Sequence, residues 1–254
     1  MKKSIFLISC FLFSSLSYAQ CEDDSQILGA SYLIKQIDLK TGKTIGGPQG
    51  EQSLNFWRDH EQVLYEYQDQ KISEKWNRLS NQQIRLVRYF DNFQRGIEYQ
   101  PTEINHGQGE HNWGSKFQIV NPLFIRQLSL VKQTGDNCDL VSHYEKTQSS
   151  ADKTNKETAQ AVQLSWSVVY QLPTYFSIKN KDILVQWQLI KLIKNPSQVQ
   201  QEIRNKQDYQ LTDYSDIGDN ESDPFLAKMI NQGFIEHNES GFYDSQGNAL
   251  IDHP

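Results

Sequence analysis

The chain is poor in the residues that usually announce a chemistry. Its three cysteines include no C-x-x-C pair, so a dithiol redox centre or a zinc ribbon lacks its ligands. There is no G-x-S-x-G elbow, no Walker loop and no G-x-G-x-x-G after a strand. The one glycine cluster, Gly46-Gly47-Pro48-Gln49-Gly50, lacks the Lys-Ser/Thr that cradles phosphate. Basic residues number 25 against 31 acidic ones, with no basic stripe, which disfavours nucleic-acid binding. After the first nineteen residues no apolar run approaches the ~20 residues that span a bilayer.

What is present begins with an address. Lys2 and Lys3 precede an apolar stretch from Ile5 to Leu16, and Ser17-Tyr18-Ala19 makes a small-x-small cleavage site. This predicts a signal peptide over 1–19, cleavage after Ala19, and a mature protein in the periplasm or secreted. Lipid attachment at Cys21 would want Gly or Ala immediately before it, and Gln20 breaks that pattern. Cys10 leaves with the signal, so Cys21 and Cys138 remain. In an oxidising compartment an even pair predicts one Cys21–Cys138 disulfide, closing a long loop.

Period-two patterning dominates the rest. Val63, Tyr65 and Tyr67 alternate with Gln62, Leu64 and Glu66; Ile72, Glu74 and Trp76 continue the period; Ile84 to Phe90 and Gly96 to Tyr99 follow after polar breaks. Aromatic and β-branched residues between polar tips predict an antiparallel meander over Gln62 to Tyr99. Tyr32 to Asp38 with Thr44-Ile45 reads as a hairpin around Lys40-Thr41-Gly42-Lys43, and Ile183 to Ile193 as a long strand after the turn Asn180-Lys181-Asp182. Residues 149–160 carry no bulky apolar side chain and read as a connection or a helix start. Residues 162–172 fit a strand by alternation and a helix by spacing, with Leu172-Pro173 ending either.

Two helices carry end signals. Asn195 before Pro196 predicts a capped start, with Val199 and Ile203 on one face and a Glu202–Lys206 pair on the surface. Asp223-Pro224 predicts a second start and Gly233 its stop, with Phe225, Met229, Leu226 and Ile230 as the docking face. Ten acidic residues against Lys228 alone make the end of the chain from Asp208 acidic. The fold class expected is α+β: a mainly antiparallel sheet with one or two short C-terminal helices, one domain over 20–234 and a loosely held acidic tail over 235–254. No family is recognised from the residues. The expected architecture is similar to that of exported bacterial carriers of the lipoprotein-chaperone type, an analogy of architecture and location that carries no function.

Candidate sites are few. His106, Glu110 and His111 could hold zinc or copper, with His237 or His253 as further donors, but the H-x-x-x-E-H spacing matches no helical zinc motif, and Gly107 and Gly109 inside it disfavour a helix. Asp216, Asp219 and Glu221 lie in an oxygen-rich loop that could take calcium, although the EF-hand order is missing and Asp223 already serves as a cap. Asp59-His60-Glu61 could do acid–base work and reads more simply as surface charge. The five tryptophans sit mostly in strand-like runs, as core or as an aromatic binding face. The reading is an exported, non-enzymatic envelope protein that needs no cofactor and binds an apolar small molecule or an envelope protein through its sheet. A metal-binding protein is the alternative, and a hydrolase built on converging carboxylates comes third.

Overall fold

The computed structural model describes residues 25–45, 50–104, 113–146, 161–218 and 222–231. Its strands are β1 (Ile27–Asp38), β2 (Thr44–Ile45), β3 (Glu51–Asp59), β4 (Gln62–Tyr67), β5 (Ile72–Arg78), β6 (Ile84–Phe90), β7 (Arg95–Tyr99), β8 (Ser129–Thr134), β9 (Val141–Lys146), β10 (Ala161–Ser167), β11 (Leu172–Lys179), β12 (Ile183–Ile193) and β13 (Gln210–Asp213). Helices are α1 (Pro101–Ile104), α2 (Trp113–Gln118), α3 (Pro122–Ile125), α4 (Pro196–Arg204) and α5 (Pro224–Asn231). The fold is a sheet-dominated α+β arrangement, and all strands join one sheet in the order β13-β7-β6-β5-β4-β3-β1-β12-β11-β10-β9-β8, with β2 beside β1. Among the described strands only the β13–β7 pairing is parallel.

Two meanders meet at β1. One runs outward from β3 to β7; α1, α2 and α3 follow it in the chain, and the second meander runs inward from β8 to β12, which closes on β1 along ten pairs. Most hairpin turns place a non-glycine residue in the left-handed region: His60, Lys71, Gln82, Gln94, Asn137 and Gln171 have φ between 42° and 70°. Such a residue costs about 1–2 kcal/mol relative to glycine, a cost the flanking ladders must cover.

The sheet is covered on both sides. Leu28, Ala30, Tyr32 and Ile34 of β1, Leu54 and Phe56 of β3, and their neighbours across the sheet pack with Ile104, Phe117, Leu128, Phe225, Leu226 and Met229 in the main core. On the opposite face α4 buries Val199 and Ile203 against Trp57, Leu64 and Ile193. Gly29 lies under the Trp57 ring, where an added Cβ would stand 2.5 Å from it, so the ring packs flat because this position has no side chain.

The expected hairpin forms as β1 and β2, the meander as β4 to β7, and the long strand as β12. Residues 161–167 form a strand, which settles the strand-or-helix ambiguity. Pro173 does not end an element, contrary to expectation. It sits inside β11 opposite Trp166, where the β10–β11 register shifts, so its missing N–H falls at an irregularity of the ladder. Asn195 caps α4 by accepting from the Gln198 N–H at 3.2 Å. The Glu202–Lys206 pair is also corrected. Glu202 accepts from Asn205, while Lys206 turns to Asp91 at 2.8 Å and Glu66 at 3.4 Å, two carboxylates that together offer more than one surface partner.

Candidate functional site

Most of the residues singled out by sequence lie outside the described residues: His106, Glu110, His111, Asp219, Glu221, Cys21, His237, His253, the signal segment, residues 149–160 and the tail 235–254. Residues 105–112, which carry the two histidines, join α1 to α2. Asp216 is exposed in a 3-10 turn, Tyr214–Asp216. Among the described residues no three His, Cys, Asp or Glu side chains gather as metal ligands. His60 contacts Asp59 at 2.7 Å in the exposed β3–β4 turn, and Glu61 points to Arg78 at 3.6 Å, so these three form no common centre. Cys138 stands in the turn Asn137–Asp139.

The aromatic side chains are mostly core. Trp57, Trp76, Trp166 and Trp187 are at most 8% exposed; the last three share the face under α2, α3 and α5 with Tyr32, Phe56 and Tyr65, and Trp57 faces α4 instead. The sheet therefore offers no open aromatic face among the described residues. Two other features stand out.

The first is a charged centre inside the main core. Two adjacent cross-strand rows run Phe56–Tyr65–Glu74–Arg88–Ile97 and Arg58–Val63–Trp76–Leu86–Tyr99 across β3 to β7. Arg58, Glu74 and Arg88 are fully buried. Glu74 Oε1 accepts from Arg88 Nε at 3.0 Å and Nη2 at 2.9 Å. Arg58 donates to the carbonyls of Phe117, Tyr170 and Ser25 and lies 4.2 Å over the Phe117 ring. Tyr65 donates to the Lys116 carbonyl at 2.5 Å. Together Arg58 and Tyr65 cap the last turn of α2, where unpaired carbonyls concentrate negative charge. The Lys116 ammonium lies 4.1 Å over the Trp76 ring. Burial pushes its pKa down to about 8, with Glu74 opposing and Arg88 reinforcing the shift. Burial raises the Tyr99 phenol to about 12, and it raises Tyr65 well above its ordinary value. Parity gave the signal in the sequence: Glu74 shares its face of β5 with Ile72 and Trp76, and Arg88 shares its face of β6 with Leu86 and Phe90.

The second is the open end of the sheet. A single row on the core face runs Ile34–Trp187–Phe176–Leu164–Tyr144–Leu130 through five consecutive pairings. Exposure is 5% or less from Ile34 to Leu164, rises at Tyr144, and reaches 54% at Leu130. All six residues of β8 are exposed, and Val131 at its register shift is 57% exposed. On the outer face a polar relay joins Thr134, His143 and Ser165 at 2.8 and 2.9 Å. The register shift re-aims the strand so that Lys132 pairs with His143 on this polar side. Among the described residues no ion pair satisfies Lys132.

No protein-family model matches the chain, and no curated protein matches it. Solved structures similar to it include PNGF-II, at 9% identity and a TM-score of 0.38 over 74% of this chain and 31% of that one. The Pseudomonas aeruginosa MucA/MucB complex matches at 11% identity and 0.33 over 69% and 56%. A domain described as a putative outer membrane lipoprotein-sorting protein from Vibrio parahaemolyticus matches at 6% identity and 0.30 over 66% and 85%. The chain thus spans under two thirds of the first two. No helix among the described residues is long and apolar enough to cross a membrane.

Proposed function

We propose that this is an exported, non-enzymatic binding protein of the cell envelope, and that it takes a protein partner as an added strand along β8. One observation carries the reading: the apolar row that is buried from Ile34 to Leu164 continues to Leu130 at the sheet's end with nothing over it among the described residues. A strand at a sheet edge presents backbone donors and acceptors, so an extended segment can pair there and gain specificity from alternate side chains. The partner segment fitting this edge carries an apolar residue against Leu130 and, on the other face, an acidic residue against Lys132. Long self-pairing of two copies is disfavoured by the register shift at Val131 and by Lys132, both devices that blunt edges.

The test is a photo-crosslinking side chain placed at Val131 in cells exporting the full chain, with Ile190 on interior strand β12, 60% exposed, as the control. One discrete adduct in the envelope fraction from position 131, weakened by Lys132→Glu and lacking at position 190, is expected. No adduct from position 131, or the same adducts from both positions, overturns the reading.

A further inference from the structure

The charged centre in the core contains two polar atoms whose hydrogen-bonding capacity is unused. Glu74 Oε2 and the Tyr99 hydroxyl, in residues that are fully buried, have no hydrogen-bond partner among the described residues. Leaving such groups unpaired costs far more than pairing them returns, so a fold keeps them only where a ligand or water completes them. They face the same side of the sheet: Glu74 and Tyr99 stand on adjacent cross-strand rows, Arg88 bonds to Glu74 and lies 5.9 Å over the Tyr99 ring, and α2 overlies both rows through Tyr65 and Trp76.

The roof over these atoms is suited to lifting. Helix α2 has six residues, of which only Phe117 is buried. The contacts that hold it to the sheet are largely polar: Arg58 and Tyr65 on its last carbonyls, the Lys116 ammonium over Trp76, and Gln118 bonded to Gln171 at 2.9 Å. Polar groups on both sides regain hydrogen bonds from water when the helix lifts, so what opening sacrifices is chiefly the burial of Phe117 and the packing of Trp113 beside it.

We propose that the sheet surface beneath α2 is a binding site for a neutral, hydroxyl-headed molecule with a flat apolar body, admitted when α2 lifts. A hydroxyl donates to Glu74 Oε2 and accepts from the Tyr99 hydroxyl in the same pose, and the Trp76 and Tyr65 rings receive the apolar body. A cationic head is excluded by Arg58, Arg88 and Lys116, which outnumber Glu74 here, and an anionic head would meet the Glu74 carboxylate directly. This site lies in the β3 to β7 half of the sheet, so it stands or falls independently of partner binding at β8.

The experiment is a fluorescence titration of the full chain with 2-naphthol and, in parallel, with 2-methoxynaphthalene, which keeps the body and loses the donor. 2-Naphthol is expected to bind about tenfold tighter, the worth of roughly one well-made hydrogen bond. Tyr99→Phe, which removes the hydroxyl that donates to the oxygen of either probe and leaves the ring, is expected to weaken binding of both probes at unchanged melting temperature, and 2-naphthol is expected to speed amide exchange in α2. Equal affinities for the two probes, no binding of either, affinities untouched by Tyr99→Phe, or unaltered exchange in α2 overturns the proposal and leaves a bridging water as the partner of both atoms.

Discussion

Glu74 and Arg88 are direct cross-strand partners on β5 and β6, both fully buried, and one carboxylate oxygen of Glu74 takes both hydrogen bonds from Arg88. Removing one member leaves the other charge without its partner inside the core, which typically costs about 3–5 kcal/mol, whereas exchanging both for apolar residues is often neutral. Glu74→Leu alone and Arg88→Met alone are therefore expected to lower unfolding free energy by about that amount. The double variant should recover most of the loss, as measured by urea unfolding. A double variant as unstable as the sum of the singles would show that the pair does not act as a unit.

Lys116 makes stability depend on pH in the alkaline range. Its ammonium titrates at about 8 in the folded chain against 10.5 when unperturbed. Below pH 8 it is protonated in both states and the full cost of burying the charge applies. Between pH 8 and 10.5 the unfolded chain holds the proton that the folded chain has released, so stability rises with pH across this window. Because the side chain is only half-buried, its cost at pH 7 is set at about 1–2 kcal/mol, below the full linkage value. Lys116→Met should stabilise the fold by that amount at pH 7 and flatten the alkaline rise; an unchanged pH profile would contradict the burial argument.

Asp223 joins two jobs at the start of α5. Its Oδ1 accepts from the Phe225 N–H at 2.8 Å and its Oδ2 pairs with Arg95 at 2.9 Å, while the Arg95 guanidinium lies 4.8 Å over the Phe225 ring. The Arg95 hydrogen bond and then the Phe225 N–H hold its carboxyl below the usual range, so its contribution is present above the ordinary carboxylate pKa and is lost as pH falls through the lowered one. Asp223→Ala should cost about 1 kcal/mol at neutral pH through the cap, with or without calcium. A calcium-dependent rise in melting temperature that disappears in an Asp216→Ala/Asp219→Ala variant would instead establish a cation site in that loop.

Lys71 tests the turn argument. It is exposed at φ 55° between β4 and β5. Lys71→Gly should raise stability by about 0.5–1 kcal/mol by relieving the left-handed conformation, net of the entropy that glycine adds to the unfolded chain. A melting temperature lower than that of the parent would show that the lysine side chain contributes contacts that outweigh the strain.

The exported form and the metal alternative are tested on the same preparation. Intact mass should place the N-terminus at Gln20, with no lipid and two hydrogens fewer before reduction than after, as a Cys21–Cys138 bond requires. Zinc and copper are expected to bind more weakly than micromolar, since Gly107 and Gly109 lie within the His106 to His111 segment and ordering it draws on the coordination energy. Sub-micromolar affinity abolished by His106→Ala/His111→Ala would make metal binding the function.

The sequence by itself determined whatever depends on neighbours along the chain. The alternation in Val63, Tyr65, Tyr67 and in Ile72, Glu74, Trp76 specified strands, and Asn195-Pro196 and Asp223-Pro224 specified helix starts, because a period or a cap is set within a few residues. Only the tertiary structure decided which of those surfaces stay open. Both faces of the tryptophan-rich strands are covered, by α2 and α5 on one side and α4 on the other, and β8, whose Ser129–Thr134 carries no alternation, is a strand because β9 lies beside it. Lys206 left its helical neighbour Glu202 for Asp91, 115 positions away in the chain, since burial makes that pairing worth more than a surface contact. Long-range contacts of this kind leave no mark at a fixed spacing, so they become legible only when the strands have been set side by side.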